Sequence, residues 1–218
     1  MESKDRHRVI AIDGPAASGK SSVARELARH LGFVYVNSGA MYRAVTWTVL
    51  SRSIDPKDSS AIAKFILGAK LDGKFFDGQF HLLIEDVDLS AHLHEDRVNT
   101  EVPRVSTVPE VRKRLVERMR DYALNHDLVV EGRDIGSVVF PETPFKFYID
   151  ASPEVRAQRR AAQGHRDEIA RRDRADSSRA ASPLIIAKDA EVIDTSHVTV
   201  EQVVDEIIKR LNAKQFNR

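Results

Sequence analysis

Short, uninterrupted apolar runs recur along this chain, and most are followed by a stretch whose apolar residues return every three or four positions. Val9-Ile10-Ala11-Ile12-Asp13, Phe33-Val34-Tyr35-Val36, Leu128-Val129-Val130-Glu131, Phe145-Lys146-Phe147-Tyr148-Ile149 and Ala190-Glu191-Val192-Ile193-Asp194 have the length and character of strands buried on both faces. Helical spacing follows the first at Val23, Leu27 and Leu31, closed by Gly32. It returns from about Met41 to Leu50, from Val111 to Tyr122 through Leu115 and Met119, and from Glu201 to Leu211 through Val203, Val204, Ile207 and Ile208. Strands alternating with helices predict an α/β fold of three αβα layers around a five-stranded parallel sheet. Ligands in such a fold bind beyond the C-terminal ends of the strands, where Asp13, Asn37, Glu131 to Asp134 and Asp150 fall.

The pattern changes between about Ser51 and Asn99. Ile54-Asp55-Pro56 and Asp58-Ser59-Ser60 open a helix to about Leu67, and Leu71 to Ile84 carries turn residues (Asp72-Gly73, Asp77-Gly78) between β-prone runs. This predicts a small antiparallel insertion. The expected organisation is a single domain over 1–218, with residues 51–110 as an insertion and residues 156–182 as a lid.

Composition narrows the function classes. The chain has 218 residues, and its 34 Lys and Arg against 33 Asp and Glu leave a net charge of +1. A surface that coats nucleic acid normally shows a clear cationic excess. There is no cysteine, which removes disulfide frameworks and thiolate metal sites. No apolar run approaches the ~18 residues of a membrane helix, and a cytoplasmic, soluble monomer is expected.

Directly after the first strand stands Gly14-Pro15-Ala16-Ala17-Ser18-Gly19-Lys20-Ser21, followed by Ser22. It fits the G-x-x-x-x-G-K-[ST] phosphate-binding loop, in the strand–loop–helix context that the motif requires. The glycines let successive N–H groups and the helix N-terminus converge on a polyphosphate. Lys20 then reaches the β- and γ-phosphates and Ser21 holds Mg²⁺, so ATP with Mg²⁺ is the expected donor.

Between the fourth and fifth strands lies a segment dense in arginine: Arg156, Arg159, Arg160, Arg166, Arg171, Arg172, Arg174 and Arg179, interleaved with acids. In isolation this reads as a solvated helix with i,i+4 pairs. Beside a phosphate loop it reads as a lid whose guanidinium groups meet a transferring phosphoryl group. No Asn-Lys-x-Asp and no Asp-x-x-Gly occurs, which argues against a signalling GTPase. Three readings remain: a small kinase for a nucleotide, a kinase for a hydroxy acid such as shikimate, and a nucleotide-switched module that binds RNA or protein. The Arg-rich stretch lacks the interleaved aromatics of RNA sites.

Several further segments carry a resemblance. Ile12-Asp13-Gly14-Pro15-Ala16, Ser38-Gly39-Ala40-Met41-Tyr42-Arg43, Val111-Arg112, Gly132-Arg133-Asp134-Ile135-Gly136, the run from Arg171 to Leu184, and Ile193-Asp194-Thr195 look like bacterial cytidylate kinases, of the nucleoside monophosphate kinase fold. The likeness runs in order from about Val9 to Leu211. It implies transfer of the γ-phosphate of ATP to CMP and dCMP, with small-molecule substrates only, no membrane and no stable nucleic-acid partner. By resemblance Ser38, Tyr42, Arg43, Arg133 and Arg172 bind the acceptor, Arg43, Arg133 and Arg172 through its phosphate. Asp176 and Arg179 close over its sugar and phosphate, and Arg112 and Asp134 read the base. Lys20, Arg159, Arg160 and Arg172 act on the transferring group. Glu131 or Asp134 is placed to hold Mg²⁺ through water, and Asp13 either shares that role or finishes its strand. The chain departs from the family pattern at Asn37, where an aspartate is usual, at Pro103 for a base-contacting serine that Ser106 could replace, at His94 for an arginine, at Met119 for a glutamine, and in a shorter segment between Arg160 and Arg172.

Overall fold

The computed structural model describes residues 7–162, 184–214 and 216. The chain opens with β1 (Val9–Asp13), α1 (Lys20–Leu31) and β2 (Val34–Asn37). It continues through α2 (Ser38–Ser51), α3 (Ser59–Gly68), β3 (Leu71–Phe76), β4 (Gln79–Ile84), β5 (Val87–Asp88), α4 (Asp96–Val105) and α5 (Pro109–Ala123). The last part holds β6 (Leu128–Gly132), β7 (Lys146–Asp150), α6 (Pro153–Ala162), β8 (Glu191–Asp194) and α7 (Val200–Ala213). Two compact units result, one from Arg8–Tyr35 with the residues from Asp127 onward, the other from Val36–His126.

In the first unit β1 is flanked in parallel by β6 and β7, and β8 pairs in parallel with β7. β2 neighbours β6, so the order β2-β6-β1-β7-β8 contains the five strands expected from the apolar runs. Register aligns Asp13 with Gly132 and Tyr148, and Asp150 with Asp194, which places these strand ends along one edge. Ile10, Ile12, Val129, Phe147 and Ile149 from the sheet pack with Val23 and Leu27 of α1 and Val203, Ile207 and Leu211 of α7. Burial on both faces is why these strands lack alternation. α7 begins with a capping box in which Thr199 and Gln202 satisfy each other's backbone N–H.

In the second unit the insertion is a three-strand antiparallel meander. Both hairpins turn on two residues in the left-handed region, Asp77-Gly78 and Glu85-Asp86, the geometry that matches strand twist. Gly73 is required by crowding, since a Cβ there would lie 2.2 Å from both Phe80 Cε2 and Tyr122 Oη. Helix α4 is not apparent from the apolar pattern, because it is charged and contains Pro103. It forms because Val98, Val102 and Val105, at i, i+4 and i+7, give it a buried face.

Candidate functional site

The phosphate loop is built where β1 ends and α1 begins. Gly14 runs so close to β7 that a Cβ there would lie 2.1 Å from the Ile149 carbonyl oxygen. Gly19, at φ 92°, turns the chain into α1 from the left-handed region. Lys20 is buried and its Nζ donates to Pro15 O at 3.0 Å, arching the side chain over the loop. Ser18 Oγ is fully buried with no hydrogen-bond partner among the described residues, a hydroxyl donor of the kind a phosphate oxygen satisfies. Pro15 and Ala16 are buried, Ala17 takes a positive φ of 60°, and Ser22 faces solvent. The geometry fits a triphosphate.

One wall of the loop is polar and ordered. Ser21 Oγ donates to Glu131 Oε1 at 2.8 Å, and the Tyr35 hydroxyl donates to the same oxygen at 3.2 Å. A serine hydroxyl beside a buried carboxylate at a strand end is the donor set that Mg²⁺ takes together with phosphate oxygens and water. Asp13 serves another purpose. Its Oδ1 and Oδ2 accept the N–H groups of Ile135 and Gly136, each at 2.8 Å, and so fix the π-helical turn Ile135–Val139 that follows β6. Burial pushes the Asp13 carboxyl up to about 6; the two N–H groups pull the other way, nearby Asp134 adds to the rise and Lys20 opposes it. Of the two roles open to Asp13, finishing and bracing the strand end is the one that its contacts support.

Arg133 Nη1 donates to Gly14 O at 2.8 Å, placing this guanidinium against the base of the loop. Asp134 is buried next to it, and its carbonyl accepts the N–H groups of Val138 and Val139. On the other side Arg156, also buried, donates to Ala151 O and Ala16 O. Arg159 donates to Ser18 O, Thr195 Oγ1 and Thr195 O. A cavity of about 370 Å³ opens beside the loop, lined by Gly19, Ser22, Arg159, Val198, Val200 and Val203 among others. Its lining mixes valines with Thr195, Thr199 and the Arg159 guanidinium.

The second unit carries the other candidates. Asn37 caps α2 through its side-chain oxygen, which accepts the Ala40 N–H at 2.9 Å, so the residue replacing the usual aspartate still satisfies the helix end. Ser38 is buried at the first position of that helix. Arg43, one turn on, donates from Nη1 to Gly39 O at 3.2 Å. Arg112 is not a surface helix arginine: only 7% of it is exposed, and its guanidinium lies 5.7 Å from the ring centre of buried Tyr42. Ser38, Tyr42, Arg43 and Arg112 therefore belong to one unit. Met119 is core, and Ser106, buried just past α4, donates its hydroxyl to Pro103 O at 3.1 Å. His94 is exposed and accepts through its carbonyl from Asn99 Nδ2.

Arg160 is half-buried near the end of α6. Arg172, Asp176 and Arg179, with the greater part of the expected lid, lie outside the described residues. Sequence reasoning gave Tyr35 and Thr195 no role and took Arg156 only as one of the lid arginines. Thr195 stands just past β8, at the edge of the sheet where ligands bind, a position that could have marked it. Tyr35 lies within β2 and Arg156 within α6, where nothing in the sequence singles them out.

This arrangement, a phosphate loop on a parallel sheet with an acidic strand end beside it, defines the class of P-loop phosphotransferases. The fold is similar to that of shikimate kinase from Acinetobacter baumannii, with a TM-score of 0.51 at 13% identity over 95% of this chain and 94% of that one. Residues 10–213 match the family model described as cytidylate kinase. The chain is 42% identical to the cytidylate kinase of Pelotomaculum thermopropionicum, covering 94% of this chain and 96% of the relative. It is 43% identical to that of Mycobacterium leprae, covering 90% and 92%. The chain belongs to the cytidylate kinase family.

Proposed function

We infer that this protein is an ATP-dependent kinase that moves the γ-phosphate of ATP to CMP, and to dCMP, giving CDP or dCDP and ADP. The observation that carries the reading is the family match over residues 10–213, which takes in the phosphate loop together with Ser38, Arg43, Arg112, Arg133 and Asp134. The phosphate of CMP is already anionic near neutral pH. Its oxygen attacks the γ-phosphorus while the bond to the β-phosphate oxygen breaks, and no general base is needed. A hydroxyl acceptor such as shikimate would call for a positioned carboxylate base, and the likeness to shikimate kinase is one of fold alone.

Loop N–H groups and Lys20 hold the donor phosphates, the residues Gly14, Pro15, Ala16, Ala17, Ser18, Gly19, Ser21 and Ser22 forming the cradle. Ser21 and Glu131 would hold Mg²⁺, which would offset the charge of the donor phosphates. Arg43, Arg133 and Arg172 bind the acceptor phosphate, and Ser38, Tyr42, Asp176 and Arg179 complete its enclosure. Arg160 and Arg172 reach the transferring group from residues 156–182, which act as the lid. Asp134 accepts from cytosine N4 while Arg112 donates to N3 and O2; uracil carries an O4 acceptor and an N3–H donor at these places and reverses both. Each such contact discriminates by roughly 1–3 kcal/mol. The proposed setting is the cytoplasm, with the chain acting as a monomer on small molecules; the near-neutral net charge supports the absence of a nucleic-acid partner. Among the described residues no helix is long and apolar enough to cross a membrane.

ADP release measured with CMP, dCMP, UMP, AMP and shikimate as acceptors tests the reading. CMP should give the highest kcat/KM, and equal or better turnover of UMP or AMP overturns it. Asp134→Ala should lower the CMP-over-UMP preference by about tenfold or more; unchanged selectivity would remove Asp134 from the base site.

A further inference from the structure

Thr195, just past β8, is buried and joined to the phosphate loop across 177 positions of sequence. Its N–H donates to Asp150 O at 2.8 Å, which pins the residue to the end of β7. Its Oγ1 accepts from Arg159 Nη1 at 2.9 Å and lies 2.7 Å from Ser18 O and 3.0 Å from Asp150 O. A hydroxyl has one proton to give. Asp150 O already holds the Thr195 N–H, so the shorter contact, to Ser18 O, takes the proton. Arg159 Nη1 reaches the same Ser18 carbonyl at 3.3 Å, and Nη2 donates to Thr195 O at 2.7 Å. The result is a relay from guanidinium to hydroxyl to the loop carbonyl, and a hydrogen bond polarised by a charged donor is stronger than a neutral one.

The carbonyl at the end of this relay belongs to the peptide that leads into Gly19. All described peptides are trans, and in a trans peptide C=O and N–H point in opposite directions. Anchoring Ser18 O to Thr195 turns the Gly19 N–H away from Thr195. Gly19 itself lies in the left-handed region at φ 92° and offers no side chain to hold that peptide plane. A Cβ at Gly19 would lie 3.5 Å from Arg159 Nη1 and 3.7 Å from Thr195 Oγ1, so the clamp is packed against the residue it orients.

We propose that Thr195, backed by Arg159, is a positioning residue that aims the Gly19 N–H into the donor-phosphate cradle. Arg159 then acts through the loop backbone, whereas family resemblance assigns it to the transferring phosphoryl group. The proposal rests on ATP being the donor, as inferred above.

The test uses the full chain and inorganic tripolyphosphate, which fills the cradle without any acceptor. Calorimetry should show Thr195→Val weakening tripolyphosphate binding about tenfold, the scale of one lost buried hydrogen bond. KM for ATP should rise in step and KM for CMP stay within about twofold, with Thr195→Ser restoring both binding and KM. Arg159→Lys should weaken tripolyphosphate binding in the same direction. In ¹⁵N-labelled protein the Gly19 amide shift on adding tripolyphosphate should shrink in both Thr195→Val and Arg159→Lys. A lower melting temperature in Thr195→Val with unchanged tripolyphosphate affinity overturns the proposal, as does an Arg159→Lys variant that loses kcat while binding tripolyphosphate normally. Should Thr195→Val not fold, Arg159→Lys and its Gly19 amide decide alone. Wild-type protein that binds tripolyphosphate but does not phosphorylate CMP would refute the acceptor reading and leave the clamp still testable.

Discussion

The two units hold their candidate ligand groups by different means. Around Gly14 to Ser21 the candidate groups are largely backbone, and side chains hold that backbone: Arg133 on Gly14 O, Arg159 and Thr195 on Ser18 O. In the unit from Val36 to His126 the candidate groups are side chains on helices, with Arg43 on α2 and Arg112 on α5 over Tyr42. A cradle of N–H groups suits any polyphosphate, because every peptide offers the same donor. Side chains offer distinct donors and acceptors and can tell one base from another. On the proposed roles, the loop is the general part of the reaction, while selectivity for the base falls to Arg112 in the second unit and Asp134 in the first.

Lys20→Ala strikes the general half hardest. Loss of a cation on the transferring phosphates should lower kcat by roughly 10³-fold, while calorimetric CMP binding stays within about twofold. A parallel loss of CMP binding would break the separation.

The next effect concerns stability. The Asp13 carboxyl has an ordinary value of 3.8 and is raised to about 6 in the folded protein. Between these values the folded state keeps a proton that the unfolded state has released, so raising the pH favours unfolding. The contribution of Asp13 is therefore greatest below about pH 4, is lost as the pH rises towards 6, and stays lost above it. Urea titrations of wild type and Asp13→Asn from pH 4 to 7 should show the wild-type advantage shrinking by on the order of 2 kcal/mol. A constant difference would mean that Asp13 titrates alike in both states.

The smallest effect comes from Thr199, which helps line the cavity beside the loop and is remote in role from the acceptor residues. Thr199→Ala removes the α7 cap and should cost about 1 kcal/mol, or a fall in melting temperature of about 2–4 °C. KM for CMP should not move.

How much the sequence disclosed follows the same division. The phosphate loop was legible because its glycines are geometrically required, Gly14 by the Ile149 carbonyl and Gly19 by its positive φ. The five apolar runs were legible because a parallel sheet is buried on both faces. Helix α4 was not, since Pro103 and its charges mask three valines at helical spacing. Thr195 was not, because its hydrogen-bond partner is a backbone carbonyl far away in sequence, and a carbonyl carries no residue signature. Arg112 lies between these cases. Its spacing on α5 is compatible with a solvated surface, and only resemblance marked it as a base reader before its burial against Tyr42 was seen.

The most direct test of the division is Arg112→Met, which keeps an unbranched side chain and removes the donors. The CMP-over-UMP ratio of kcat/KM and the KM for ATP should be measured on the same preparation. The preference for CMP should fall about tenfold or more with KM for ATP unchanged. A preference that survives, or a KM for ATP that rises along with it, would contradict the account.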